Sequence, residues 1–481
     1  MNIIDIILII AYLIFMLYLG FYASKKQNNM EDFYLGGKKT GTISMMCLWL
    51  SSWVGGAAVI ATAANAYELG ITAVWYVGAM CVGFAIFGLT FTKLIKKVGD
   101  KFSHITYPDL IEDRYNSRCR MVSIITTILA NIAYNAGQLV AAGGILYTFT
   151  GWNITFCIIL SAVIVSIYTA TGGLLAVTYT DVAQTTLILG SLVIVIPFIY
   201  NASGSIASFQ AQMPPTFFKL GAWGTSTILG FIVSITLTFF TSMDSYTRCF
   251  AAKDEKTARN GTLLAIIGTA FIAIVSTYIG MAGRIIFPNI GDTSAILATI
   301  VSEVLPTGVK GIMLIGIISA LMSTSDISTL TASANITRDI YQRYINPEAS
   351  EKHLLKLGTI SSMLIGALST IMAIKMMDIV NILYLAFTIN SAGLFLPTIG
   401  IFFWEKANSK SAFWSMTLSL ITVVLWFLGS SFNLGSVFNI DPLWPGLLVS
   451  ALVFIPMSLI TKPSEIDKEK IEKYLSHNKI N

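Results

Sequence analysis

The chain has 481 residues, of which 55% are hydrophobic and 11% charged, with a net charge of +5. A soluble domain carries roughly 25% charged residues, so this composition excludes an ordinary soluble protein. The positive balance needs no nucleic-acid partner, because basic residues beside anionic lipid account for it.

Apolar runs long enough to cross a hydrocarbon core of roughly 30 Å recur along the whole chain. They predict spans at 3–22, 42–67, 71–92, 119–148, 154–172, 180–200, 224–246, 262–285, 308–339, 356–374, 379–403, 411–430 and 444–461. The expected fold is therefore an all-α polytopic membrane protein of about thirteen transmembrane helices, in a plasma or inner membrane. The first run lacks the cleavage site and preceding basic flank of a signal peptide and is expected to be retained.

Cationic residues favour the cytoplasmic ends of spans. With the N-terminus outside, only Lys219, Arg284, Lys310 and Lys375 of the 30 Lys and Arg fall in outer loops. The other cations lie in the loops holding Lys25, Lys26, Lys38 and Lys39, Lys93 to Arg120, Arg248 to Arg259, Arg338 to Lys356, and Lys406 and Lys410, and in the tail from Lys462. This alternation predicts an outer N-terminus and an inner C-terminus.

The five cysteines, Cys47, Cys81, Cys119, Cys157 and Cys249, show no CxxC spacing and indicate neither a disulfide framework nor a zinc site. No Ser/His/Asp set, HExxH, GxSxG or P-loop pattern appears, which argues against an enzyme and against direct coupling to ATP.

Polar residues inside the spans carry the functional signal. The second span contains Ser51-Ser52-Trp53-Val54-Gly55-Gly56. Small residues there can serve helix packing, or a break in the helix beside a cavity. The ninth holds six hydroxyls and a carboxylate between Ser319 and Thr329. A hard cation such as sodium takes oxygen ligands, and adjacent hydroxyls facing an unwound segment can form such a cage. Charged residues at membrane depth are functional candidates: Asp181 in the sixth span, Asp244 in the seventh and Asp326 in the ninth. For Asp244 an ion pair with Arg248 one turn later is the simpler account. Glu68 reads as an outer-loop charge.

The run Tyr168 to Val177 followed by Tyr179-Thr180-Asp181-Val182-Ala183-Gln184 resembles the signature of the sodium:solute symporter family. Ala320-Leu321-Met322-Ser323-Thr324 running on to Asp339-Ile340-Tyr341, and Asp32-Phe33-Tyr34-Leu35-Gly36-Gly37, resemble further elements of it. The resemblance implies a LeuT-like core of two five-helix inverted repeats, at 42–200 and 224–403. Residues 1–41 would add one helix and a cytoplasmic loop, 404–461 two further helices, and 462–481 a cytoplasmic tail.

Carried over, the family's sodium site would use the carbonyls of Ser51, Val54 and Ala320 with the hydroxyls of Ser323 and Thr324. A second cation site would use Asp181, with Asp326 as a contributor. The positions where sugar-transporting relatives present Gln and Glu are Ala58 and Val77 here. The run Ser52 to Gly56 resembles the choline-transporter branch instead, with Trp53 and Tyr134 at cage positions, although a further cage tryptophan is Ser242. Cation–π attraction to such rings contributes roughly 0.5–2 kcal/mol each. Gly55, Gly56, Asn135, Gln138, Asp244 and Asn390 complete the expected solute site.

The implied function is sodium-coupled import of a small organic solute, an amine, zwitterion or amino acid, by alternating access. A monocarboxylate solute and proton coupling are the nearest alternatives; a channel or membrane sensor is remote. Membrane lipid and the solute are the expected partners, with no obligatory protein partner.

Overall fold

A computed structural model describes residues 2–24, 38–169, 174–204 and 206–475. The motif segments Asp32 to Gly37 and Ala170 to Gly173, and the cations Lys25 and Lys26, lie outside the described residues. In chain order the helices are α1 (Ile3–Ser24), α2 (Thr42–Trp53), α3 (Gly56–Leu69), α4 (Val74–Thr90), α5 (Thr92–Phe102), α6 (Tyr107–Arg114) and α7 (Ser117–Thr150). There follow α8 (Ile154–Thr169), α9 (Leu174–Ser203), α10 (Ile206–Gln212), α11 (Thr225–Phe239), α12 (Met243–Ala251), α13 (Glu255–Ile286) and α14 (Ile296–Glu303). The last are α15 (Val309–Ala334), which runs on as a π-helix over Asn335–Ile345, α16 (Glu351–Met376), α17 (Ile379–Phe403), α18 (Ser409–Ser431), α19 (Leu443–Ile460) and α20 (Glu465–Leu475).

Nine helices among the described residues are long and apolar enough to cross a membrane, or ten if the bent pair α11 and α12 is one span. This count by length and composition is lower than the expected thirteen. The 12-residue α2 is too short to span alone, and α3 and α4 count as one 35-residue element because a 3₁₀ turn joins them.

The burial pattern is that of a protein solvated by hydrocarbon. Large apolar side chains such as Ile7, Phe156, Leu364 and Leu452 point outward, while hydroxyls and carboxylates such as Ser323, Thr324, Asp181 and Asp326 are buried. The long helix α7 runs through the middle, packed against α8, α15, α16 and α17, and α15 packs between α7 and α9. Helix α1 rests on α9 and α15. Its buried Asp5 accepts the backbone N–H groups of Gly308 (2.9 Å) and Gly311 (3.0 Å) at the start of α15, which supplies acceptors that the first turn of a helix lacks.

Two helices are broken where they meet the interior. At Val54 the backbone leaves the helical region (φ −101°, ψ 70°), and Gly55 is extended. The freed carbonyls of Trp53 and Ser52 accept the Tyr134 hydroxyl at 3.2 and 3.4 Å, and the Ala57 N–H donates to Gln138 Oε1 at 3.2 Å. Thus α7 supplies both a donor and an acceptor to the break. The second break separates α11 from α12 with a bend of 48°; there the Tyr246 hydroxyl donates to the Phe240 carbonyl at 2.8 Å.

At the end carrying the C-terminus, α6 is tied to its surroundings by charge. Arg120 bonds Asp109 (2.9 Å) and Glu112 (2.7 Å) and also pairs with Asp339. Arg338 pairs with Asp109 at 3.1 Å. From Lys462 to Leu475 the tail is docked: α20 packs on α6 and α17, with Lys473 on Asp113 at 2.8 Å and the buried Tyr474 donating to Asp113 at 2.6 Å.

Candidate cation and solute site

Helix α15 lies against the first break because the two glycines allow it. A Cβ on Gly55 would stand 2.6 Å from Thr324 Oγ1, and one on Gly56 would stand 2.5 Å from Leu321 Cγ. Across this contact the Ser323 hydroxyl donates to the Ser51 carbonyl at 3.0 Å, and the Thr324 hydroxyl donates to it at 2.9 Å. The same two hydroxyls lie 3.2 and 3.0 Å from the Ala320 carbonyl. Ser51, Ala320, Ser323 and Thr324 therefore present four oxygens to one buried point, and fully buried Val54 lies on the unwound turn beside it.

The remaining acids have different neighbours. Asp181 is fully buried and lies beside the Ser51 side chain and near Arg248 and Asp244, yet neither of its oxygens has a hydrogen-bond partner. Asp326 is 2% exposed and neighbours Tyr12 of α1. Among the described residues no three His, Cys, Asp or Glu are grouped as a metal cluster would need.

Beside the last turn of α2, just before the first break, is a cavity of about 40 Å³. Trp53, Tyr134, Asp244 and Asn390 of the expected solute residues line it, together with Ser242 and Phe387. Gly55, Gly56, Asn135 and Gln138 do not line it. The glycines face α15, Gln138 caps α3, and Asn135 is buried with an unpartnered Oδ1. Trp53 does not stand open as a cage wall: its ring is stacked on Phe239 with centroids 3.7 Å apart and planes at 7°. It also lies parallel to Phe387 at 6.2 Å. Two polar groups on the cavity wall lack partners, the Trp53 Nε1 donor and the Asn390 Oδ1 acceptor. Asp244 is engaged with Arg248 at 3.1 Å.

Phe239, Phe387 and Tyr246 were not anticipated. Phe387 stands one turn before Asn390, a spacing that puts both on one helix face, and this signal was available. Phe239 carried none, since its role comes from stacking across two helices distant in sequence.

A separate cavity of about 820 Å³ lies beyond α3 and α7, with Glu68, Asp292 and Asp378 among its lining residues. Its lining includes no Lys or Arg.

Residues 33–419 match the model of the sodium:solute symporter family. Among curated relatives, the sodium/pantothenate symporter of Haemophilus influenzae is 26% identical over 95% of this chain and 96% of its own length. The osmoregulated proline transporter OpuE of Bacillus subtilis is 24% identical over 94% of each. The high-affinity choline transporter 1 of Torpedo marmorata is 26% identical over 84% of this chain and 73% of its own. A solved structure of a Na+-coupled sialic acid symporter, substrate-bound and outward-open, superposes with a TM-score of 0.81 at 21% identity, covering 96% of this chain and 99% of that one. The chain is a multi-pass membrane transporter of a small organic solute, not an enzyme, and it belongs to the sodium:solute symporter family.

Proposed function

We propose that sodium binds between the first helix break and α15, held by the carbonyls of Ser51, Val54 and Ala320 and the hydroxyls of Ser323 and Thr324. The observation that carries this is the convergence of two hydroxyls on the Ser51 carbonyl from the opposite helix. That carbonyl now accepts two hydrogen bonds, and a hard cation would take their place on the same lone pairs. All five donors are uncharged, which suits a monovalent ion that must also leave. Asp181, with both oxygens unpartnered, is our candidate for a second cation, with Asp326 as contributor.

The solute would sit against Trp53, Tyr134, Phe387 and Asn390. The unpartnered indole N–H calls for an acceptor on the solute and the unpartnered Asn390 Oδ1 calls for a donor. A zwitterion or amino acid supplies both. Because Asp244 is occupied by Arg248, the solute's ammonium is assigned to Asn390. A cavity of about 40 Å³ is little more than one water's share of liquid volume, roughly 30 Å³, so the site must enlarge to admit a solute.

We place this core in two inverted repeats, 42–200 and 224–403, within thirteen spans and with the N-terminus outside. Sodium joining α2 to α15 and solute joining the two breaks would favour one closed arrangement, so each strengthens the other. The inward potential adds about 2.3 kcal/mol per charge per 100 mV.

The test is uptake of radiolabelled amino acids and amines into proteoliposomes with and without a sodium gradient, for the parent and for Ser323→Ala with Thr324→Ala. Loss of the sodium-driven component in a folded variant is the expected result. Unchanged sodium dependence would overturn the site.

A further inference from the structure

One buried charged side chain links the two helix breaks, and the scheme above uses it only as the partner of Asp244. Arg248, on α12, is 2% exposed. Its Nε donates to the Ser52 hydroxyl at 3.1 Å and to Asp244 at 3.2 Å. Ser52 belongs to the last turn of α2, next to the residue whose carbonyl receives Ser323 and Thr324. Asp244 stands in the first turn of α12, just past the second break. A single guanidinium therefore clamps the end of one broken helix to the start of the other.

The clamp is incomplete. Arg248 Nη2 is buried with no hydrogen-bond partner, and so are both oxygens of Asp181, a carboxylate near Arg248. A buried donor and a buried carboxylate left unsatisfied each cost free energy that pairing would recover. A guanidinium carries five donors in a fixed fork and can hold one acid while reaching for another.

We propose that Arg248 is a positioning residue that latches the two helix breaks in this state through Ser52 and Asp244. It transfers to Asp181 when the cavity beside Trp53 opens. Leaving Ser52 frees the end of α2, and with it the Ser51 carbonyl, so the latch ties the oxygens of the proposed sodium site to the width of the solute cavity. The inference rests on that sodium reading for its dependence on sodium, and it has Arg248 and a second cation exclude one another at Asp181. Opening of the cavity is a separate observable.

The experiment places a cysteine on the cavity wall, Asn131→Cys, in a background with the five native cysteines replaced, and follows maleimide labelling of the purified transporter with and without sodium. Arg248→Gln is expected to label about tenfold faster than this parent, the change a 1.4 kcal/mol shift in the opening equilibrium produces. Arg248→Lys, which keeps the charge, should stay within about threefold of the parent, and Asp181→Asn, which removes the second partner, should label no faster than it. Equal rates for Arg248→Gln and the parent would overturn the latch, as would Asp181→Asn labelling as fast as Arg248→Gln. Should Arg248→Gln fail to fold, Ser52→Ala carries the same test, and an unaccelerated Ser52→Ala also overturns the latch. If sodium does not bind at Ser51, the differences between variants persist but no longer respond to sodium.

Discussion

Gly55 is the position where the smallest chemical change should have the largest effect on sodium. Its backbone is ordinary, φ −72° and ψ 163°, so alanine adds no backbone strain and acts only through its methyl group. That methyl would stand 2.6 Å from Thr324 Oγ1 and 2.8 and 2.9 Å from the two terminal atoms of Gln138. Neither neighbour yields easily: threonine is stiff at χ1, and Gln138 is held by the Ala57 N–H. Either α15 moves off the break or Thr324 turns from the Ser51 carbonyl, and both spread the oxygens. Overpacking of this kind costs about 1–3 kcal/mol. Borne by the sodium-bound arrangement, this weakens sodium about 5- to 150-fold. The assay is the sodium concentration giving half-maximal uptake, with sodium-induced thermal stabilisation of the purified protein as a second reading. Gly144→Ala is the control, because nothing lies within 4 Å of a Cβ there. Gly55→Ala with the parent's sodium dependence would refute the close-approach argument.

Other consequences follow from the packing. Trp53→Ala removes a ring stacked on Phe239 and should cost about 3–5 kcal/mol of stability, whereas Trp53→Phe keeps the stack and should retain fold while losing the indole donor; thermal unfolding and uptake separate the two. Burial acts to raise the pKa of Asp109, but Arg338, Arg120 and the Thr106 and Ile105 N–H groups outweigh it and hold the carboxyl well below the usual range. Asp109→Ala should therefore destabilise the protein by up to about 3 kcal/mol, the low end for a broken buried pair, since Arg120 keeps Glu112 and Asp339; unfolding in detergent measures it. Asp113 is likewise depressed, with burial opposed by hydrogen bonds from His104, Lys473 and Tyr474. Its contribution to docking of α20 is fully present above the ordinary aspartate pKa of about 3.9 and is lost as pH falls through the lower folded value. Proteolytic release of the tail should then show no contribution from Asp113 titration between about pH 5 and 8, with faster release only in stronger acid, and Asp113→Asn should speed release at neutral pH.

How much of this was legible in the sequence depended on whether a residue had few ways to be accommodated in lipid. Adjacent hydroxyls at Ser323 and Thr324 are costly at membrane depth without oxygen partners, so their pattern alone pointed inward, and the structure aims both at Ser51. Asp244 with Arg248 four residues on is a local pair, and it forms. The docking of the tail was not legible, because α20 is short and polar and is held by contacts with α6 some 360 residues away. The two helix breaks show the same division. Gly55-Gly56 marks the first in the sequence, while the second, at Phe240 to Ser242, carries neither glycine nor proline. It persists because the Tyr246 hydroxyl satisfies the Phe240 carbonyl and the Thr238 hydroxyl bonds the Phe387 carbonyl of α17 at 3.0 Å. A break held by side-chain hydrogen bonds, one local and one to a distant helix, leaves no composition signal of its own. It also depends on those partners, so movement of α17 or α12 against α11 must remake the bonds that keep the helix open.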